Sequence, residues 1–165
     1  MNDSEFLALL QRMEGETLDF KGMAYNLASE SDKADFIKDV ICMANTPREE
    51  PSYILLGVKK HNDGTFELWG LDRYLDDADL QEQFPARVQP VPEFTYEVFS
   101  YEGKDFGIIT MPPRRMGPCL PIKDFLDQAT DAPTLFYGNI RFTFAVGLET
   151  ISQPHQRISS VSCDG

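Results

Sequence analysis

Two kinds of side chain in this sequence are spaced so that they can do chemistry. The run Glu14-Gly15-Glu16-Thr17-Leu18-Asp19-Phe20-Lys21 sets carboxylates beside an alternating, strand-like pattern. Clustered carboxylates can hold a divalent cation, which activates water and stabilises charge on a phosphate. The cations Lys21, Lys59, Lys60, Arg114, Arg115, Lys123 and Arg141 are the candidates for phosphate contacts, and contacts of that kind position a protein on nucleic acid without reading sequence. If the strands carrying Lys21 and Lys59 are neighbours, a local basic stripe survives a negative total charge. Taken singly, each lysine equally serves to keep a strand soluble and guard its edge. Asp19 beside Lys21 also reads as a surface pair worth under about 1 kcal/mol, and Glu14 and Glu16 as solvated helix-end and loop residues.

Holding these groups requires elements, and the pattern supplies them. Phe6, Leu9, Leu10 and Met13 recur at helical spacing, predicting a helix over 3–13 with Asp3 or Ser4 at its N-cap and Gly15 ending it. Thr17 to Lys21 alternates as a strand. Phe36, Ile37, Val40, Ile41 and Ala44 form the buried stripe of a second helix over 32–44, capped by Ser31, with Lys33, Asp35, Lys38 and Asp39 on its wet face. Asn45-Thr46-Pro47 stops it. Asn45 and Thr46 either line a groove at that helix end or satisfy its orphan carbonyls. Tyr53 to Val58 is a nearly continuous apolar strand, and Thr65 to Trp69 is expected to return as its partner around Asn62-Asp63-Gly64. Asp76-Asp77-Ala78-Asp79-Leu80 opens a short helix. Phe94 to Tyr101 and Asp105 to Met111 form a second hairpin, Met111 to Pro121 an exposed loop, and 134–137 and 140–146 further strands. The fold expected is α/β (α+β): a mixed, largely antiparallel sheet with two or three packed helices, over 1–151, followed by a flexible tail at 152–165.

The 165 residues suit one core, and 42% hydrophobic content is enough to fold it. A formal net charge of −12 opposes tight, unassisted binding to nucleic acid, where Lys and Arg contacts dominate affinity. Cys42, Cys119 and Cys163 are odd in number and far apart, against a disulfide framework or zinc site. His61 and His155 are isolated, so neither a metal nor a Ser-His-Asp constellation can be argued from them. No apolar run is long enough to span a membrane, and the opening Asn2-Asp3-Ser4 lacks a signal-peptide pattern; a cytoplasmic location is the expectation.

Several motifs together carry a resemblance. Glu14, Asp19, Phe20 and Lys21 fit an E-S-x-x-L-E-F-K opening. Ala44-Asn45-Thr46 fits an A-N-T helix end, Gly57-Val58 a G-V strand end, and Gly70-Leu71 a following G-L turn. In this order and spacing, over 14–146, they resemble the AlbA-like DNA-binding domain of the Schlafen type, formerly called divergent AAA and RecG-related. The departures are specific. Pro47 to Ser52 replaces the family's G-G, Lys60 stands where an acid often follows G-V, and the late Y-x-R-x-G-S signature is seen only in Tyr137 and Arg141. No G-x-x-x-x-G-K-[ST] is present, so ATP hydrolysis is not expected.

The resemblance implies a nucleic-acid-binding domain, DNA or RNA, with a role in transcription regulation, non-catalytic and without cofactor or metal. Lys21, Lys59, Lys60, Arg114 and Arg115 are its contacts. A second reading is a Schlafen-type endoribonuclease, in which Glu14, Asp19 and, in place of Lys60, Asp63 would hold Mg²⁺ or Mn²⁺. A third is an acidic interaction module, or a homodimer formed through an edge strand.

Overall fold

The computed structural model describes residues 1–61, 63–113 and 118–122, and the backbone of strands at 135–137 and 140–142. The chain divides into two units, Met1–Lys123 and Asp124–Gly165.

Helix α1 (Asp3–Leu10) begins at Asn2 rather than at Asp3 or Ser4. The Asn2 side chain accepts from the Glu5 N–H, and the Glu5 carboxylate accepts from the Asn2 N–H, so two orphan donors are satisfied reciprocally. The helix stops short of the expected Met13, which is exposed. Strand β1 (Leu18–Lys21) follows. Helix α2 (Glu30–Asn45) is capped by Ser29, two residues before the expected Ser31, and buries Phe36, Ile37, Val40, Ile41, Met43 and Ala44. It carries the chain to β2 (Ser52–Leu56), which pairs parallel with β1, Leu18 opposite Tyr53 and Lys21 opposite Leu56. Parallel neighbours need such a crossover.

The expected strand over 53–58 breaks at Gly57, whose φ of +91° turns the chain. The result is β2 and a separate β3 (Val58–Lys60), and it is β3 that pairs with β4 (Phe66–Leu68). Short α3 (Asp77–Gln81) is capped by Asp76. Strand β5 (Val88–Gln89) pairs with β8 (Leu120–Pro121). Strands β6 (Thr95–Tyr101) and β7 (Lys104–Met111) form the long hairpin, turning on Glu102 and Gly103 at φ 49° and 74°. The main sheet has order β1-β2-β7-β6, with one parallel and two antiparallel pairings. It is the mixed, largely antiparallel sheet expected, with three helices among the described residues.

Strand alternation gives the sheet two faces. On one, Phe6, Leu9 and Leu10 of α1 pack with Leu18, Phe20, Leu55, Phe106 and Ile108. Phe6 lies 5.0–5.3 Å, centroid to centroid, from Phe99, Tyr101 and Phe106, and its burial stabilises by about 2–3 kcal/mol. The opposite parity of β1, Asp19 and Lys21, faces α2. There Phe36 meets Tyr25, Phe84 and Phe94. The Pro47 to Ser52 segment that departs from the family pattern supplies a clasp. Arg48 donates to the carbonyls of Met43, Thr46, Met111 and Pro112, joining the end of α2 to the exit of β7.

In the second unit, β9 (Leu135–Tyr137) and β10 (Ile140–Phe142) pair antiparallel, close to the strands expected there. The expected tail at 152–165 lies outside the described residues. No helix among the described residues is long and apolar enough to cross a membrane.

Candidate functional site

Alternation on β1 sends Leu18 and Phe20 into the α1 core and turns Asp19 and Lys21 toward α2. Lys21 Nζ lies 2.9 Å from Asp19 Oδ2 and 3.0 Å from Asp39 Oδ2. Tyr25 donates its hydroxyl to the same Asp39 oxygen at 2.9 Å, and Lys38 lies 3.7 Å from the other. Burial opposes the Lys21 charge, but Asp39 and Asp19 overcome it and raise the ammonium's pKa. Burial raises the Asp19 carboxyl above its usual range against the pull of Lys21. Burial, then Asp39, pushes the Tyr25 phenol well up. Lys21, Tyr25 and Asp39 of this network, with Met23, Asp35 and Lys38, line an open cleft of about 320 Å³.

Asp39 was expected on the wet face of α2, yet its side chain is only 14% exposed. The available signal is its place three residues after Phe36 and four before Met43, on the flank of the stripe rather than opposite it. Tyr25, also unassigned from sequence, sits in the segment that brings the chain from β1 to α2.

The three carboxylates of the nuclease reading are each engaged. Glu14 Oε1 accepts the Phe20 N–H at 3.0 Å. Asp19 is paired with Lys21. Asp63 sits at the tip of the β3–β4 hairpin, where it accepts from the Thr65 N–H at 2.9 Å and its hydroxyl at 2.6 Å, bonds that lower its pKa. Among the described residues no three His, Cys, Asp or Glu side chains are grouped to hold a metal ion. An ammonium, Lys21, stands beside Asp19, bridging it to the partly buried Asp39.

The expected cations divide by strand parity. Lys60 donates to the Leu10 carbonyl at 3.0 Å, closing the end of α1, and lies 5.3 Å from the Phe20 ring and 5.4 Å from that of Phe66. Lys59 points the other way and is exposed, opposite Glu67. Beside it, Trp69 is 50% exposed. Both converge over Gly22, where a Cβ would lie 3.0 Å from the indole and 3.7 Å from Lys59 Cδ. Trp69 Nε1 donates to Glu67 at 2.9 Å, fixing the ring. Lys21 and Lys59 thus sit on neighbouring elements, the first enclosed by acids and the second open. Arg114, Arg115, Lys123 and the Arg141 side chain lie outside the described residues.

The base of this hairpin joins two of the sequence motifs. Trp69 and Gly70 donate their N–H groups to the Gly57 carbonyl at 2.9 and 3.0 Å. The orphan carbonyls at the end of α2 are met by Thr46, whose hydroxyl donates to the Cys42 carbonyl at 3.0 Å and whose N–H donates to that of Met43 at 3.3 Å. Asn45 instead ties the helix end to the residue before β8: its amide donates to the Cys119 carbonyl and accepts the Cys119 N–H, both at 2.8 Å.

This arrangement is similar to known proteins at two levels. No curated protein matches the chain. Among solved structures it resembles the N-terminal domain of a RecG-related protein from Nitrosomonas europaea, at 19% identity and a TM-score of 0.50, covering 91% of this chain and 95% of that one. It also matches the DIP2311 protein of Corynebacterium diphtheriae, at 18% identity and a TM-score of 0.43, covering 73% of this chain and 26% of that one. The family model described as Schlafen, AlbA_2 matches residues 14–134, from the first carboxylate of the opening motif through the whole main sheet. The chain belongs to the Schlafen AlbA_2 family.

Proposed function

We propose that the protein is a non-catalytic nucleic-acid-binding domain with a regulatory role in transcription. The observation that supports it best is the convergence of exposed Lys59 and half-exposed Trp69 over Gly22. An indole fixed on one side and open on the other gives a base a stacking surface, and an adjacent ammonium takes the phosphate. Arg114 and Arg115 are the further contacts of this proposal, whereas Lys60, on the opposite parity, is committed to the Leu10 carbonyl. Lys21 serves mainly to neutralise Asp19 and Asp39. Family membership supports the nucleic-acid reading, and the engaged state of Glu14, Asp19 and Asp63 favours binding over cleavage. The net charge of −12 makes affinity modest.

Trp69 is the sole tryptophan, so its emission reports this face alone. Titration with single-stranded oligonucleotides at low salt is expected to quench it. Trp69→Ala is expected to weaken binding of a labelled oligonucleotide roughly tenfold or more, one base's worth of stacking. A chain that neither quenches nor retains the oligonucleotide at low salt refutes the proposal.

A further inference from the structure

The two edges of the main sheet are treated differently. On β1 the preceding turn takes up most of the outward backbone groups: Gly15 and Leu18 exchange N–H···O bonds, and Glu14 takes the Phe20 N–H. Strand β6, at the other edge, is guarded at one end only, where α3 approaches Tyr96. It runs seven residues, Thr-Tyr-Glu-Val-Phe-Ser-Tyr, in unbroken register with β7, without proline, lysine or bulge.

The hairpin geometry says which β6 groups face outward. Tyr101 and Lys104 close a two-residue turn and bond each other. Phe99, Glu97 and Thr95 therefore also bond to β7, while Tyr96, Val98 and Ser100 turn their N–H and C=O groups away. The Tyr96 N–H is taken by Asp77 Oδ1 of α3 at 2.8 Å. Among the described residues nothing bonds the outward groups of Val98 and Ser100, and both residues are exposed.

We infer that β6 is a self-pairing edge, and that a second copy of this chain adds to it antiparallel about a two-fold axis at Phe99. Five symmetric registers place outward residues opposite each other. Those centred on Tyr96 and Glu97 set Tyr96 against itself or against Val98, which calls on the donor held by Asp77, and the second also sets Glu97 against its own copy. One centred on Val98 sets Tyr96 opposite Ser100 and requires a donor already held by Asp77. One centred on Ser100 sets Val98 opposite Glu102, which at φ 49° has left the strand. The register centred on Phe99 pairs Val98 with Ser100 and uses both free residues in full. It also sets Glu97 opposite Tyr101, a carboxylate against a phenol, and Phe99 against its own copy, so no like charges face each other within the paired segment. The Asp77 cap thus selects the register, and the charge pattern fits a second copy. The joined strands form one continuous sheet across both copies.

Sedimentation of the full chain from about 1 to about 100 μM is expected to show a monomer–dimer equilibrium. Val98→Pro deletes an outward N–H without breaking a β6–β7 bond, and is expected to raise the dissociation constant at least roughly tenfold with an unchanged circular dichroism spectrum. Hydrogen exchange on the wild type is independent of whether that variant folds: the Val98 and Ser100 amides are expected to slow as concentration rises, and the Tyr96 amide to stay constant. A monomer at every concentration overturns the inference. So does a dimer in which the Val98 and Ser100 amides exchange as fast as in dilute solution, or one that Val98→Pro leaves equally tight.

Discussion

Lys21 Nζ lies 3.0 Å from Asp39 Oδ2 and bridges it to Asp19, so a strand of the opening motif is tied through its cation to the helix packed over it. The two acids are not equivalent. Asp39 also accepts from Tyr25 and faces Lys38, whereas Asp19 pairs, among the described residues, with Lys21 alone and has a carboxyl that burial has already raised. Asp39→Asn is expected to cost about 2–3 kcal/mol in urea unfolding at neutral pH, because it weakens a partly buried pair and a phenol's acceptor together. Asp19→Asn is expected to cost under about 1 kcal/mol, since the charge it removes is one the fold disfavours. Equal losses at the two positions would contradict this division.

The same network makes the fold sensitive to strong alkali. Lys21 and Tyr25 both hold their protons more tightly folded than unfolded, from ordinary values of 10.5 and 10.0. Their contribution is therefore complete below about pH 10 and is lost as pH rises toward the folded values. Thermal midpoints are expected to fall steeply above that point. Tyr25→Phe, which keeps the ring against Phe36 and removes the titrating hydroxyl, is expected to flatten the fall. An identical slope in wild type and variant would place the alkaline transition elsewhere.

What could be read beforehand from the chain, and what could not, follows from where the forces act. The parity of Leu18, Asp19, Phe20 and Lys21 was legible because a period of two leaves no choice once one face is buried. The stripe of α2 was legible for the same kind of reason. Its cap was displaced because Ser29 and Ser31 are chemically alike, and only the entry path of the chain decides between them. Gly57 was read as the end of an apolar strand; nothing local shows that the backbone must turn there to meet Gly70. An isolated charge on a helix belongs in solvent, and only the partner strand brings Lys21 to Asp39. The Glu14 carboxylate has the type and place of a metal ligand, whereas its neighbour in space is the N–H of Phe20, a bond that patterns of side chains do not reveal.

That bond bears directly on catalysis. If Glu14 and Asp19 are engaged as the structure shows, incubation of RNA with Mg²⁺ or Mn²⁺ is expected to give the same background cleavage with wild type, Glu14→Gln and Asp19→Ala. Glu14→Ala is expected to lose about 1 kcal/mol of stability from the freed β1 edge. Cleavage that depends on Mn²⁺ and disappears in Asp19→Ala would instead establish the endoribonuclease.

The hairpin that presents Lys59 and Trp69 hangs on Gly57. Its φ of +91° is open to glycine, and a Cβ there would meet the Gly70 carbonyl carbon at 2.7 Å. Backbone cannot swing aside as a side chain would, and both Trp69 and Gly70 donate to the Gly57 carbonyl, so relief of the clash pulls on the bonds that orient the indole. Gly64, at the hairpin tip, separates strain from clash: its φ is +85° but nothing lies within 4 Å of the added carbon. Gly64→Ala is expected to cost about 1 kcal/mol, the conformational strain alone. Gly57→Ala is expected to cost about 3 kcal/mol or more and to red-shift Trp69 emission as the ring lifts from Gly22. If the two substitutions cost the same and Trp69 emission is unmoved, the contact between Gly57 and Gly70 does not hold the hairpin in place.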